Sequence, residues 1–419
     1  MERMRITKST SATYILFFIW FILVILNLKN TNSFTFFFIW LFLLMISIFY
    51  ANFNKVGIDI ELSKDQFWWV IFISYTFIIS FINQKINLAN VNLVRNIISY
   101  FLAFWAIYSF SRFCNLEKFI KIYRNFFAVC SILGVIEIIS RRSLFSNWLE
   151  SSNAIDLFNE FNINSGLYRV TLFFYHPIYY GILLTVFLIF IILNPYRSRI
   201  LQYLFIFLGM INLIYTQSRS SWVTLLLCLF IYFFKSSISL NKLKVKALTK
   251  YVCMFIGVVV IISIIAILFS KLTANILYIF SSRLSEATSN TNNARTANWA
   301  LVQYSNTPFL KLFGGGDGYA TSMLHLHPQF MGWTQAVDNQ YLTFYMDYGL
   351  VGIGIFLIFM FNVFKSFIIT EDKLKIAVLL SIIAIFISSF FYEVYFQNEI
   401  NNLLFILICF LNLNSRKKF

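Results

Sequence analysis

The stretch SFTFFFIWLFLLMISIFYA, residues 33–51, contains no charged side chain. A run of about 20 apolar residues has the length a helix needs to cross the hydrocarbon of a bilayer. Comparable runs recur at approximately 12–27, 67–83, 93–111, 122–140, 170–193, 200–216, 220–234, 251–269, 338–363, 375–392 and 400–413. Only helices and closed barrels satisfy every backbone N–H and C=O without water, so only these structures span lipid. The runs are continuous instead of alternating, which argues against a barrel. The expectation is therefore an all-α, polytopic transmembrane bundle of about twelve spans, forming a single integral membrane domain.

The chain is 59% hydrophobic and only 12% charged over 419 residues, too apolar for a soluble domain of that length. MERMRITKST precedes the first run, but no small-residue cleavage site follows it, and the second run begins within a few residues. The first run thus reads as a membrane helix and not as a signal peptide.

Lysine and arginine set the orientation. With both termini cytoplasmic, the inner segments are the 52–66 loop, SRFCNLEKFIKIYR (111–124), NPYRSR (194–199), KSSISLNKLKVKALTK (235–250), KSFIITEDKLK (365–375) and the termini; they hold 22 of the 33 basic residues. That excess has the sign required of cytoplasmic loops. The net charge of +16 accordingly reports topology, and no basic stripe interleaved with aromatics points to nucleic acid. Two outer loops are long, 141–169 and 270–337, and the second is expected to hold short helices. Long loops tend to carry function.

Several chemistries are disfavoured. Cys130, Cys228, Cys253 and Cys409 fall in spans and Cys114 in an inner loop, so the outer loops have no disulfide framework. Three histidines without Cys/His spacing give no metal site, and no cofactor is expected. GGGDG at 314–318 lacks the lysine of a phosphate-binding loop. It reads as a tight turn, or as a nest of N–H groups open to an anion.

Among the outer cations, Arg169 lies in GLYRVTLFFYHP, Arg219 in TQSRSSW, and Arg295 in NNARTANWALVQYSN. The last stretch has the pattern of a short amphipathic helix, capped by Asn293 or Thr291, with Arg295, Trp299 and Val302 on one face and Pro308 ending the region. One such arginine can simply snorkel to headgroups. Three around one outer mouth point to phosphate, because guanidinium offers a fork of donors and keeps its charge at any relevant pH. The diphosphate of a lipid carrier sits at that depth.

The order of these features, followed by FGGGDGY and DNQYLTFYMDYGLVG (338–352), resembles the O-antigen polymerase and O-antigen ligase superfamily over roughly residues 169–352. The resemblance implies a metal-independent glycosyltransferase of the bacterial cytoplasmic (inner) membrane that uses undecaprenyl-diphosphate-linked oligosaccharide on its outer face. It also implies membrane lipid and a chain-length regulator protein as partners. By position, Arg219 and Arg295 match the family's arginines. The ligases begin the last motif with His-Asn where this chain has Asp338-Asn339, a departure that favours the polymerase branch. The alternatives are a ligase acting on lipid A-core and a flippase; the flippase should line several mid-helix positions with charge.

Glycosyl transfer needs a stabilised leaving group and, optionally, an acceptor for the incoming proton. The expected catalytic residues are Arg219 and Arg295 for the diphosphate and Asp338 for the proton, with His325 or His327 of LHLHPQ as rivals. Arg169 and Arg283 are further phosphate ligands, and Asn339, Tyr341, Tyr392 and Glu393 further substrate contacts. FYEVYFQNEIN reads as an outer patch of Tyr392, Glu393, Tyr395, Gln397 and Glu399. Glu137 is expected to pair with Arg141 one helical turn on. His176 reads as a feature of a span entrance. Asp347, nine residues past Asp338, should face away from it and fix a close helix contact at Gly349, Gly352 and Gly354.

Overall fold

The computed structural model describes residues 9–28, 33–53, 62–83, 97–145, 168–174, 176–239, 300–305, 307–327, 337–395 and 397–411. Among these the fold is entirely helical: α1 (Thr10–Leu28), α2 (Ser33–Phe53), α3 (Lys64–Ile82), a π-helical turn (Ile97–Leu102) running into α4 (Ala103–Ser111), α5 (Leu116–Ser140), α6 (Pro177–Leu193), α7 (Arg199–Tyr215) and α8 (Arg219–Ser239). A 3₁₀ turn (Ala300–Tyr304), α9 (Pro308–Phe313), α10 (Tyr319–Leu326), α11 (Gln340–Ile369), α12 (Lys373–Ser388) and α13 (Asn398–Phe410) complete it. Four helices are long and apolar enough to cross a membrane, within 35–52, 64–82, 116–140 and 340–369; α1, α4, α6, α7 and α13 contribute shorter apolar segments. The chain is a membrane protein. The expected span at 251–269 lies outside the described residues.

Caps explain where the helices begin. Ser63 and Gln66 form a reciprocal capping box on α3, Asn115 caps α5, Ser198 caps α7 and Asp372 caps α12. Two expected boundaries are corrected by the same chemistry. The run 170–193 becomes helical only at Pro177, because His176 caps it and a proline suits the first helical position. Pro308 likewise opens a helix, with Thr307 as its cap, where the sequence reading had it ending the region.

Helices α6, α12 and α13 are enclosed on nearly every side, and each packs on the other two. A helix that is apolar all round is a core helix, and these three form the axis of the bundle. The others wrap around them and turn large apolar side chains outward, Phe38, Phe49, Ile139, Ile200 and Phe361 among them. In lipid such a surface needs no cover. Polar side chains stitch the interior together: Asn212 of α7 donates to Ser131 O at 2.8 Å and accepts from Tyr180 Oη at 3.2 Å, joining three helices.

Contacts between helix ends sort onto two faces. At one end Ser9 meets Phe113, Asp65 meets Ser366, Arg124 meets Asn194, and Lys235 meets Phe367 and Thr370. At the other, Asn83 meets Gly314, Arg169 meets Thr216, and Gln340 meets Ser389. The second group consists of positions that the sequence reading expected on the outer face.

Candidate functional site

The second face gathers three chain segments that are far apart in sequence. The first two carry arginines. Val170 N donates to Tyr215 O at 3.1 Å, Arg169 Nε to Thr216 O at 3.0 Å, and Gln217 Nε2 to Tyr168 O at 3.2 Å, so 168–170 runs against 215–217. Leu172 and Gln217 take the left-handed conformation (φ 52° and 53°), which turns each segment sharply. Arg219 then opens α8, three residues past the carbonyl that Arg169 holds. Ser218 Oγ lies 2.8 Å from Ser221 Oγ and 3.0 Å from Ser220 Oγ, knitting this junction from within. Both arginines thus stand in segments that meet at one corner of the bundle.

Glu137 is the post under this corner. Its buried carboxylate accepts from Tyr168 Oη at 2.7 Å and from the N–H groups of Thr171 and Leu172 at 3.0 and 3.3 Å. This overturns the expected pairing with Arg141, which instead ends α5 in the left-handed conformation. Backbone donors that the segment would otherwise leave buried compete better for this carboxylate than an exposed guanidinium four residues on.

His176 links the arginine corner to the third segment. Its Nδ1 accepts from Ile178 N at 3.1 Å, so the ring carries its proton on Nε2. Burial first, and then the charge of Arg169, hold its pKa well below the ordinary histidine value, and the ring stays neutral. It stacks on Tyr392 at 5.5 Å and 28°, and Tyr179 Oη lies 3.5 Å from Tyr392 Oη.

Beyond Tyr392 the wall becomes acidic. Glu393 Oε1 accepts from the hydroxyl of Thr343, in the first turn of α11. Burial pushes the Glu393 pKa up to about 7; Thr343 opposes this, while Asp338 and Asp317 push in the same direction. Asp338 does not start the helix as expected. It sits just before it with φ 55°, and Asn339 is the cap, accepting from Tyr341 N and Leu342 N at 3.0 and 3.1 Å. Gln340 ties this helix start to the neighbouring loop, donating through N to Ser389 O at 3.0 Å and accepting at Oε1 from Tyr395 N at 2.8 Å.

The glycine loop 314–318 is not open to an external anion. Gly315 N donates to Met346 O, Gly316 N to Asp347 O, Asp317 N to Ser80 Oγ, and Gly318 N to Asp347 Oδ2 at 3.1 Å. Asp347, fully buried, also accepts from Ala320 N at 2.7 Å. The nest holds the protein's own carboxylate. The close approach that permits this centres on Gly349, non-helical at φ 64°, where a Cβ would lie 2.4 Å from Leu312 O, and on Gly314, whose Cβ would meet Asp347 O at 2.3 Å. Gly354 takes no part, since a Cβ there would meet nothing.

Arg169, Arg219, Asp338, Asn339, Tyr392 and Glu393 are therefore held by one connected set of segments at one end of the bundle. Tyr341 borders them, its hydroxyl donating to Phe386 O at 2.9 Å. Tyr395 and Glu399, expected in an outer patch, are buried within the bundle. His325 is exposed on α10 and His327 ends that helix. Arg283, Arg295 and Trp299 lie outside the described residues. Sequence reasoning missed Thr343, Tyr179 and Asp317. Thr343 and Tyr179 fall inside apolar runs where periodicity marks packing and nothing else, although the charge of Asp317 in a glycine loop was a signal available to be weighed. Among the described residues no cluster of His, Cys, Asp and Glu could hold a metal ion.

No curated protein matches the chain. Residues 203–357 match the family model described as O-antigen ligase, a stretch that takes in Arg219, the glycine loop, Asp338, Thr343 and Asp347. The members of that family are glycosyl-transferring enzymes. Over that stretch, less than half of the chain, the sequence is similar to the O-antigen ligase family.

Proposed function

We propose that this membrane protein polymerises lipid-linked oligosaccharide repeat units, with undecaprenyl diphosphate as the carrier, on the outer face of a bacterial cytoplasmic membrane. The observation that carries the reading is the joining of Arg169 and the Thr216–Arg219 junction into one corner, with an acidic wall at Asp338 and Glu393 beyond His176 and Tyr392. Transfer breaks the bond between the anomeric carbon and the diphosphate oxygen and forms one to an acceptor hydroxyl. The leaving diphosphate takes the electron pair, and the hydroxyl loses its proton.

The cationic corner suits the diphosphate. Arg219 and Arg169 would grip it, joined by Arg295 and Arg283 from the outer loop 270–337, while the apolar flank of the helices receives the polyprenyl tail. A charge-assisted hydrogen bond contributes about 1.5–3 kcal/mol, and only the part that strengthens in the transition state accelerates transfer. Neither half of the chemistry calls for a metal.

The experiment uses the full chain in lipid nanodiscs with a defined lipid-diphosphate-linked repeat. A ladder of polymer supports the reading. Arg219→Ala and Arg219→Lys should each lose most of it at unchanged protein level, because lysine replaces the charge but not the fork. Normal ladders from both variants would remove Arg219 from the site. The description of the matched family favours a second reading, ligation of the glycan to lipid A-core. Asp338-Asn339 in place of His-Asn counts against it, and a single transfer to a core acceptor without any ladder would establish it instead.

A further inference from the structure

The sequence alone made Asp338 the natural choice for proton acceptor, yet the fold treats the two outer carboxylates differently. Asp338 sits in a left-handed turn ahead of the Asn339 cap. Glu393 is anchored. Thr343, one turn into α11, donates to its Oε1, and the N–H of Val337 donates to it from the segment before that helix. Its neighbour Tyr392 lies against His176, whose own neighbour in charge is Arg169.

The groups facing Glu393 share one sign. Asp338 approaches from the start of α11, Asp317 from the glycine loop, and Asp347 from within α11. Asp317 and Asp347 are themselves committed, the first to Tyr348 Oη at 3.1 Å and the second to the loop N–H groups. Asp338 and Glu393 are the carboxylates of this group that keep some exposure, and Glu393 is held in place by Thr343 and Val337.

We propose that Glu393 is the catalytic residue that accepts the proton of the incoming sugar hydroxyl, with Thr343 as its positioning residue and Asp338 as the charge that tunes it. This rests on the glycosyl-transfer reading above. As the acceptor oxygen bonds to the anomeric carbon, its proton passes to the carboxylate of Glu393 and the diphosphate departs toward the arginine corner. Glu393 then returns the proton to water. A carboxylate whose affinity for a proton lies near neutrality is matched to this task.

The test measures new glycosidic bonds from pH 5 to 9 with the full chain in nanodiscs and a synthetic lipid-diphosphate-linked repeat. The wild type should gain activity with pH and level off just above 7. Glu393→Gln should lose about a hundredfold or more, within the range general base catalysis supplies, and lose the acid limb. Glu393→Asp should keep part of the activity. Asp338→Asn should stay active with its acid limb moved to lower pH, because a neighbouring negative charge is gone. Melting temperature and donor binding are measured in parallel; if Glu393→Gln fails to fold, the Asp and Asp338→Asn variants carry the test. Glu393→Gln within threefold of wild type, or an acid limb that Asp338→Asn leaves in place, would overturn the assignment while glycosyl transfer stands. A wild-type protein that makes no glycosidic bond under any condition takes down both.

Discussion

Asp347→Ala isolates the strongest structural element beneath the site. The carboxylate is fully buried and takes two backbone hydrogens, from Gly318 at 3.1 Å and Ala320 at 2.7 Å. Alanine removes both bonds and leaves two N–H groups in a loop whose residues 314–320 are all buried. An orphaned buried donor costs about 1–3 kcal/mol, so the pair amounts to roughly 3–5 kcal/mol after partial relaxation. Local opening, and not global unfolding, should take most of the loss, since α9 and α10 are short and hang on this loop. The amide hydrogens of Gly318 and Ala320 should therefore exchange on the order of a hundredfold faster or more, from about 3 kcal/mol at 1.4 kcal/mol per decade. Hydrogen exchange read by mass spectrometry on peptides covering 308–327 measures this. Asp347→Asn should fall between, because its amide can accept one bond but turns a donor toward the other N–H. Exchange in Asp347→Ala within threefold of wild type would refute the idea that this carboxylate holds the loop.

Further outcomes follow from the same geometry. Gly349→Ala should yield little folded protein, because a Cβ would meet backbone atoms of Leu312 at 2.4–2.5 Å and alanine resists φ 64°; a melting temperature within a few degrees of wild type would contradict this. Glu137→Ala should cut the transfer rate at least tenfold by releasing Tyr168–Leu172 and with it Arg169, and full activity would show that the segment holds without its post. Glu393 also makes stability depend on pH. Its folded pKa of about 7 exceeds the ordinary 4.5, so the folded state binds the proton more tightly. That contribution is complete below pH 4.5 and is lost as pH rises through 7. Melting temperature should decline over this window in the wild type and less in Glu393→Gln; identical slopes would refute it.

The all-helical class of fold was legible in the sequence because it follows from local composition. An apolar run must become a helix in lipid wherever it lies in the chain. The caps Ser63, Asn115, Ser198 and Asp372 were not singled out in the sequence, and the helix capped by Asn115 begins at Leu116, inside a segment read as an inner loop.

The partners of single charged groups were not legible. Glu137 had a guanidinium within one helical turn, but the donors it serves lie 31–35 residues ahead, in a segment that arrives only when α6 and α7 have packed. The glycine loop looked like a nest open to an anion until the Gly314–Gly349 contact brought Asp347 into it. Glu393 takes its hydrogen bond from the hydroxyl of Thr343, 50 residues back in the chain. By itself the sequence determined the apolar, all-helical character of this protein. Which carboxylate meets a donor, which meets another carboxylate and which is left to exchange a proton was decided by tertiary packing, because hydrogen bonds and Coulomb forces act over a few ångströms of space and take no account of separation along the chain.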